Sequence, residues 1–281
     1  MKEIILSHFQ ATTLLEARQG GASSTQVSLD LGISVAQVQL EVHSVRLNQD
    51  QRLSWEAVGL IADSQSSCYI IEQGEARAIQ IYSAATERLY SLYPTSGAPS
   101  LLISGIPMHR IKGTEPYQDT LEKIRTIKPI VGQTLDTATG LGYTAIQAAQ
   151  TAEHVMTIEV EPAVLEVCRH NPWSQELFGN PKITLVSGDS FEVIAELRSA
   201  SFTRVIHDPP AFSLAGDLYS GQFYRELHRV MRNRGRLFHY IGDPESKSGR
   251  SITAGVIRRL EQAGFRQIRR APRAFGVVAM K

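Results

Sequence analysis

The hydrophobic positions along the chain follow two different periods, and the change falls near residue 110. Before it, apolar and polar residues alternate with a period of two, as in TQVSLDLG from Thr25 and AQVQLEVHSVRL from Ala36, with GISV between them. This period is typical of strands with one buried face, so the two runs predict a hairpin.

Three more runs extend this pattern. CYIIEQGEARAIQIYS predicts a second hairpin that turns at Gln73 and Gly74, and RLYSLYPT and PSLLISG follow as strands bounded by Gly or Pro. We therefore interpret residues 22–105 as a small antiparallel β domain. Residues 1–20 are less regular and are compatible with a short helix.

After residue 113, segments with strand-like and helix-like spacing alternate. Pro116 precedes the helical pattern YQDTLEKIRTI, and the predicted strands are TLDTA, HVMTIEVE, ITLVSGD, FTRVIHDPP and GRLFHYIGD, each followed by a helical segment, with two short strands in FRQIRRAPRAFGVVAMK. This order predicts a doubly wound, Rossmann-like α/β fold with a seven-stranded, mostly parallel sheet. The last two strands lack a helix between them and predict an antiparallel hairpin. The predicted domains are 1–110, β-rich, and 111–281, α/β.

Composition adds one feature to this picture. The 281 residues are 42% hydrophobic and 20% charged, which is typical of a globular protein, and the net charge is only +1. From Arg229 to Lys281, however, thirteen Lys and Arg face three Asp and Glu. A solvated basic surface explains this excess, and so does a surface that binds nucleic acid.

The number of cysteines and the length of the apolar runs indicate which compartment and which kinds of metal site to expect. Cys68 and Cys168 are too few for a disulfide framework or a cysteine-based zinc site, and no His, Asp or Glu cluster has metal-ligand spacing. The N-terminus lacks the apolar core of a signal peptide, and no run is long enough to cross a membrane. We expect a cytoplasmic protein without bound metal.

The stretch LDTATGLGYTAIQAA, residues 135–149, predicts a strand, a glycine turn and a helix. Gly140 and Gly142 allow a tight turn and a close approach of a ligand to the backbone, and the crevice after such a strand is the usual ligand site of an open parallel sheet. Asp136, Glu159 and Asp189 fall at the ends of three successive predicted strands. Any one of them has a simpler explanation; Asp189, for example, is a good cap for the helix SFEVIAEL.

Four stretches together, LDTATGLGYTA, TIEVEP, SGDSF and VIHDPPAF, resemble in order and spacing the signature motifs of class I S-adenosylmethionine-dependent methyltransferases. The resemblance covers residues 113–281. The chain looks most like uncharacterised methyltransferases of archaeal type. It implies that Asp136, Thr137, Ala138, Gly140 and Gly142 surround the methionine part of S-adenosylmethionine. It further implies that Glu159 binds the ribose and that Asp189, with Ser190 beside it, binds the adenine.

The glycine turn disfavours a dinucleotide. GLGYTA has no third glycine for a pyrophosphate, and Asp136 would repel one, whereas its carboxylate suits the ammonium group of methionine.

The acceptor side is predicted from HDPPAF at the end of the fourth strand. The resemblance implies that Asp208 and Pro209 orient the acceptor and that Phe212 stacks on a planar one, although Ala211 separates the prolines from the aromatic ring. A carbon acceptor of pyrimidine type is disfavoured because no cysteine follows this stretch. His207 is a candidate base, but its strand position turns it away from Asp208, so a buried structural histidine is the competing interpretation.

The remaining histidines are weaker candidates. His239 lies in the middle of a predicted strand and is interpreted as structural. His109, next to Arg110, lies on the segment that leads into the second domain and is a candidate substrate contact.

Three functions remain open at this point. The first is a methyltransferase that acts on an amino group of an RNA base or of a small molecule. The second is a polyamine synthase, an aminopropyltransferase, because such enzymes resemble this chain in joining a small β domain to the same catalytic fold. The third is a non-catalytic binding module, which the intact Asp136, Glu159, Asp189 and Asp208 disfavour. A homodimer is a further hypothesis.

Overall fold

The computed structural model describes residues 3–210, 215–243 and 246–281. The chain forms two compact units, one of Met1–Tyr117 with Ala163–Gln175 and one of Gln118–Pro162 with Glu176–Lys281. The boundary that we predicted at residue 110 stays a prediction. Among the described residues, none of the helices has both the length and the apolar character that a membrane crossing requires.

The N-terminal part of the first unit is built from short strands and two helices. In chain order these are β1 (Ile4–Leu6), α1 (His8–Gln19), β2 (Ser24–Val27), β3 (Ala36–Leu40), β4 (Ser44–Arg46), β5 (Arg52–Ser54), α2 (Trp55–Asp63), β6 (Tyr69–Glu72), β7 (Glu75–Ala78), β8 (Gln80–Ser83), β9 (Arg88–Tyr93), β10 (Ser100–Ile103) and β11 (Ile106–Pro107). They form three antiparallel sheets with the orders β1-β6-β7, β2-β3-β4-β5 and β11-β10-β9-β8.

Both predicted hairpins of the first unit are confirmed. Strands β2 and β3 pair antiparallel, and β6 and β7 pair around Gln73 and Gly74, whose φ angles of 53° and 85° are those of a tight hairpin turn. The sequence interpretation missed α2, because its nine residues lie in a region otherwise composed of strands. Its signals are an N-cap, Ser54, and the buried residues Trp55, Val58 and Ile61 at helical spacing.

From residue 116 onward, helices and strands alternate. The elements are α3 (Pro116–Arg125), β12 (Gln133–Asp136), α4 (Tyr143–Ala149), β13 (His154–Glu159), α5 (Pro162–His170), α6 (Glu176–Gly179), β14 (Ile183–Ser187), α7 (Ser190–Glu196), β15 (Phe202–His207), α8 (Gly221–Val230), β16 (Met231–Tyr240), α9 (Lys247–Gln262), β17 (Arg266–Ala271) and β18 (Gly276–Met280). Most of α5 belongs to the first unit, where Trp173, just after the helix, donates from Nε1 to the carbonyl of Leu31 at 3.0 Å.

The second unit contains the predicted seven-stranded sheet, with the order β14-β13-β12-β15-β16-β18-β17. Strands β12 to β16 are parallel, and β18 runs antiparallel to both β16 and β17. The predicted α/β class and the final hairpin are therefore confirmed. Helix α8 shows how the sheet is covered: Phe223, Leu227 and Val230 recur at helical spacing and are fully buried, and each such burial contributes about 2 kcal/mol.

Strand β12 occupies the position that matters for function. The chain leaves it to form β13 and β14 on one side and returns to form β15 on the other. The carboxyl ends of β12, β13, β14 and β15 consequently lie along one edge of the sheet. This edge contains the topological switch point, where ligands bind in doubly wound folds.

Candidate active site

The loop after β12 is fixed to the strands on both sides of it. The amide of Thr137 donates to the carbonyl of Ile206 in β15 at 3.0 Å, and the amide of Thr139 donates to the carbonyl of Ile158 in β13 at 2.9 Å. We call residues 136–142 the glycine loop. It is held in one position by backbone hydrogen bonds before any ligand is considered.

The two glycines of this loop are required for different reasons. Gly140 and Gly142 have φ angles of 51° and 79°, which strain any residue with a side chain. A Cβ atom on Gly142 would also lie 3.1 Å from Cδ2 of Leu177, whereas the space beside Gly140 is open. Gly142 therefore permits close packing at the start of α4, and Gly140 leaves room for a ligand against the backbone.

Asp136 is completely buried at the end of β12. Its Oδ2 accepts from the hydroxyls of Thr144 and Thr157, each at 3.0 Å. Among the described residues no hydrogen bond of normal geometry reaches Oδ1; the amide of Ala138 contributes only a weaker attraction. Burial raises the pKa of Asp136 to about 8, and the threonine hydroxyls oppose that rise. Only neutral donors therefore reach the carboxyl group, and its Oδ1 can still accept from a cation.

Glu159 ends β13 and faces the glycine loop. Its Oε2 accepts from the amide of Gly140 at 2.9 Å and its Oε1 from the amide of Glu161 at 3.1 Å. Burial raises the pKa of Glu159 to about 7, although these backbone donors favour the charged form. Sequence reasoning placed Glu159 at the strand end, and the structure brings it into direct contact with the loop.

Asp189 and Ser190 follow β14. The Asp189 side chain is exposed and accepts from the amide of Phe191 at 2.8 Å, so it caps α7, which was the simpler of its two interpretations. A helix cap of this kind uses one carboxylate oxygen and does not prevent the other from binding a ligand. Ser190 is buried and donates from Oγ to the carbonyl of Thr137 at 2.5 Å, which ties α7 to the glycine loop.

His207 ends β15 with both ring nitrogens engaged. Nδ1 lies 2.7 Å from Oγ1 of Thr137, and Nε2 lies 2.9 Å from the carbonyl of Leu218. Burial lowers the pKa of His207 to about 3, so the ring is neutral. A carbonyl only accepts, so Nε2 carries the proton and Nδ1 accepts from Thr137. Because no lone pair is left for a substrate proton, we replace the base hypothesis for His207 with a structural role.

Asp208 follows His207, and it is paired with a buried lysine that sequence reasoning missed. Lys123 Nζ, on α3, lies 2.7 Å from Oδ2 of Asp208 and 2.9 Å from Oδ2 of Asp119. Pro209 is buried, and the carbonyl of Pro210 accepts from the hydroxyl of Tyr219 at 3.1 Å. The Asp-Pro-Pro stretch is thus held from two sides, and Asp208 keeps 18% of its side chain exposed.

A signal for Lys123 is present in the sequence. Thr120, Lys123, Ile124 and Ile127 have the spacing i, i+3, i+4, i+7 of one helix face, and all four are buried. Charged residues in a helical segment are normally assigned to the solvated face. For this reason sequence reasoning did not recognise Lys123 as a buried residue.

Two predicted substrate residues are not placed with this group. Phe212 lies outside the described residues. His109 belongs to the first unit, where its Nδ1 lies 3.2 Å from Oγ of Ser100. Buried His239 is structural in its contacts, since its Nε2 lies 2.8 Å from the hydroxyl of Tyr224.

Comparison with known proteins agrees with this architecture. Residues 131–230 match the family of RNA cap guanine-N2 methyltransferases. This span includes the glycine loop, Glu159, Asp189 and Asp208. The protein is a class I S-adenosylmethionine-dependent methyltransferase, which confirms the sequence resemblance, and S-adenosylmethionine is its cofactor.

Within that class, the chain belongs to the same family as an uncharacterised protein of Methanocaldococcus jannaschii. The two are 45% identical over 234 residues, which cover 82% of this chain and 78% of the relative. Polyamine aminopropyltransferase 2 of Streptomyces coelicolor is 27% identical over 114 residues, or 38% of this chain and 21% of that protein. A spermidine synthase solved with the transition-state analogue AdoDATO has a similar fold, with a TM-score of 0.59, 17% identity and 71% of each chain covered.

Proposed function

We propose that this protein transfers a methyl group from S-adenosylmethionine to an exocyclic amino group of an RNA base, with guanine N2 as the first candidate. The observation that carries the proposal is the Asp208 carboxylate in an Asp-Pro-Pro stretch at the end of β15, beside the glycine loop at the end of β12. The match of residues 131–230 to cap guanine-N2 methyltransferases supports the choice of atom and of acceptor class.

The residues of the glycine loop fit the cofactor. Oδ1 of Asp136 is a buried acceptor without a hydrogen bond among the described residues, which suits the ammonium group of the methionine moiety. Thr137, Ala138, Gly140 and Gly142 present backbone around it. Glu159 would accept from the ribose hydroxyls, and Asp189, with Ser190 fixing the loop behind it, would accept from the adenine amino group.

When bound, S-adenosylmethionine supplies an electrophilic methyl group and leaves as a neutral thioether. The chain's own contribution is alignment and proton removal. Asp208 accepts a hydrogen bond from the acceptor N–H, which directs the nitrogen lone pair toward the cofactor. As the nitrogen forms its new bond to carbon, it loses one proton, and the Asp208 carboxylate takes that proton and passes it to solvent. Pro209 keeps the backbone after Asp208 rigid.

An RNA partner is supported by the basic edge of the sheet. Strand β17 is an edge strand, and Arg266, Arg269 and Arg270 on it are exposed, as are Arg258 on α9 and Arg273. Guanidinium groups on an open edge bind phosphates, and each phosphate contact makes binding more sensitive to salt.

The decisive test is methyl transfer from tritiated S-adenosylmethionine to unmodified RNA transcripts, followed by nucleoside chromatography. We expect label in N2-methylguanosine. Anisotropy with the same transcripts should show affinity that falls steeply with salt. Replacing Arg266, Arg269 and Arg270 with Gln should make the log–log salt slope less negative by about 2, at roughly 0.7 per single-strand phosphate. Labelling of small amines but not of RNA would overturn the choice of acceptor.

One alternative has an observation in its favour. The likeness to an aminopropyltransferase over 114 residues fits a polyamine synthase. A polyamine acceptor carries several positive charges and is bound best by carboxylates that have no cation of their own, whereas Asp208 is already paired with the Lys123 ammonium group. Calorimetry separates the two functions: we expect S-adenosylmethionine to bind more tightly than its decarboxylated form, and the reverse order would favour aminopropyl transfer.

A further inference from the structure

The buried lysine beside the proposed acceptor site is not explained by folding alone. Lys123 is 3% exposed, and its ammonium group contacts Asp119 and Asp208 and lies 4.6 Å from the ring centroid of Tyr240. Burial of an ammonium group costs several kcal/mol, and an apolar side chain of similar volume at such a site is often as stabilising or more so. A methionine would lie among the buried residues Thr120, Ile124 and Ile127.

The segment that follows α3 is held against β15, the strand that leads to Asp208. Arg204, in the middle of β15, donates from Nε to the carbonyls of Ile127 and Pro129, at 2.9 Å each. The second connection is the ion pair from Lys123 to Asp208 itself. The Lys123 ammonium group therefore contacts the chain at Asp208, four residues after Arg204 and just past the end of β15.

We propose that Lys123 is a positioning residue of the acceptor site, which holds the Asp208 carboxylate ionised and binds its Oδ2, so that Oδ1 is left to accept from the acceptor amine. This inference rests on the proposed function of Asp208. Only the ionised carboxylate can accept the N–H hydrogen bond on either oxygen and take up the proton that the methylated nitrogen loses.

The surroundings of Asp208 make this support necessary. Burial raises the pKa of Asp208, and the neighbouring carboxylate of Asp119 raises it further, while Lys123 lowers it. The carboxyl of Asp136, when it is ionised, also repels Asp208, and Tyr219 and Tyr240 contribute phenol groups nearby. Burial alone would lower the pKa of Lys123, but attraction by Asp208 and Asp119 outweighs it and raises that pKa, so the ammonium group is permanent near neutral pH.

The test begins with the ionisation of Asp208 and needs no acceptor. In protein labelled with carbon-13 at the aspartate carboxyl carbons, the Asp208 signal is identified by its absence in Asp208→Asn. We expect it to titrate at higher pH in Lys123→Met than in the wild type, and close to the wild type in Lys123→Arg. Lys128→Met, which removes an exposed lysine just after α3, is the matched control and should change nothing.

A second variant separates positioning from stability. Lys123→Met leaves two buried carboxyls without a counter-charge and can unfold the protein, whereas Asp119→Asn/Lys123→Met removes one of them. We expect this double variant to fold, and its Asp208 still to titrate above the wild-type value. Methyl transfer to RNA should fall about tenfold or more at pH 7, with the lost rate returning as pH is raised to 9.

Two results would overturn the role of Lys123. One is an Asp208 titration that is the same in the wild type, Lys123→Met and the double variant. The other is a folded double variant with the wild-type rate and pH profile. Failure of the proposed function looks different, because the wild type would then not methylate RNA at all while the carboxyl titration still reports on Lys123.

Discussion

Two groups of carboxyls lie along the carboxyl edge of the same sheet, and they are stabilised in opposite ways. Asp136 and Glu159, at the ends of β12 and β13, accept only from hydroxyls and backbone amides, and burial raises the pKa values of both. We call this pair the cofactor side. Asp208, at the end of β15, is paired with the Lys123 ammonium group instead. We call it the acceptor side.

The difference predicts which charge each side can receive. A carboxyl satisfied by neutral donors gains most from a ligand that brings a cation or several hydroxyl donors. A carboxylate that is already paired with an ammonium group gains less from a second cation but can still accept from an uncharged amine. The cofactor side thus suits the ammonium and ribose of S-adenosylmethionine, and the acceptor side suits the neutral amino group of a base.

The largest expected effect tests the acceptor side. In Asp208→Asn, the amide cannot take up a proton, so we expect the methyl-transfer rate to fall about 100- to 10,000-fold. Cofactor affinity by calorimetry should stay within about threefold, because the change lies on the other side of the glycine loop. Asp217→Asn, which alters an exposed side chain, should keep the full rate. An active Asp208→Asn enzyme would mean that the Asp-Pro-Pro interpretation is wrong.

The cofactor side is tested by Glu159→Ala. Loss of a charge-assisted contact to the ribose should cost about 1.5–3 kcal/mol, or roughly 10- to 150-fold in cofactor affinity. Glu153→Gln changes an exposed carboxylate before the same strand, and it should bind as the wild type does. If Glu159→Ala binds the cofactor as tightly as Glu153→Gln does, Glu159 does not hold the ribose. The proposed difference between the cofactor side and the acceptor side would then be wrong.

The carboxyl groups of the cofactor side could be predicted from the sequence, whereas the lysine that pairs with Asp208 on the acceptor side could not. Asp136, Glu159 and Asp189 are found by position, because each lies at or just after the end of a strand whose apolar run is clear. Their partners are harder to find: Thr144 and Thr157 come from a helix and from another strand, and nothing local links them to Asp136. Lys123 lies 85 residues before Asp208 in the chain, so their pairing appears only when α3 packs against the sheet.

A third experiment measures the protonation of the cofactor side. Since the pKa of Asp136 is about 8 without cofactor, its carboxyl is largely protonated at pH 6.5. The cofactor's ammonium group favours the carboxylate, so binding should release up to about one proton at pH 6.5 and fewer above pH 9. Calorimetry in phosphate and Tris buffers measures this release, and Asp136→Asn should reduce it. Heats that do not depend on the buffer would contradict a cationic partner for Asp136.

The smallest effect concerns His207, which joins the two sides because it lies next to Asp208 and accepts from Thr137 of the glycine loop. Its pKa is lowered by burial from about 6.5 to about 3, so its contribution to the free energy of unfolding is complete above about pH 6.5 and is lost as pH falls toward 3. The slope from this group is at most about 1.4 kcal/mol per pH unit. Buried His239, whose pKa is also lowered, adds to the same trend.

In His207→Phe, two hydrogen bonds are lost, and we expect a cost of about 1–3 kcal/mol at pH 7 together with a flatter stability curve between pH 4 and 6.5. Urea unfolding at a series of pH values measures both, and His43→Asn, at an exposed histidine of the first unit, should keep the wild-type slope. A His207→Phe curve parallel to the wild type would mean that His207 binds a proton equally well in the folded and unfolded states. The ring could then not be the neutral bridge between the glycine loop and the acceptor strand, and its role as a base would have to be considered again.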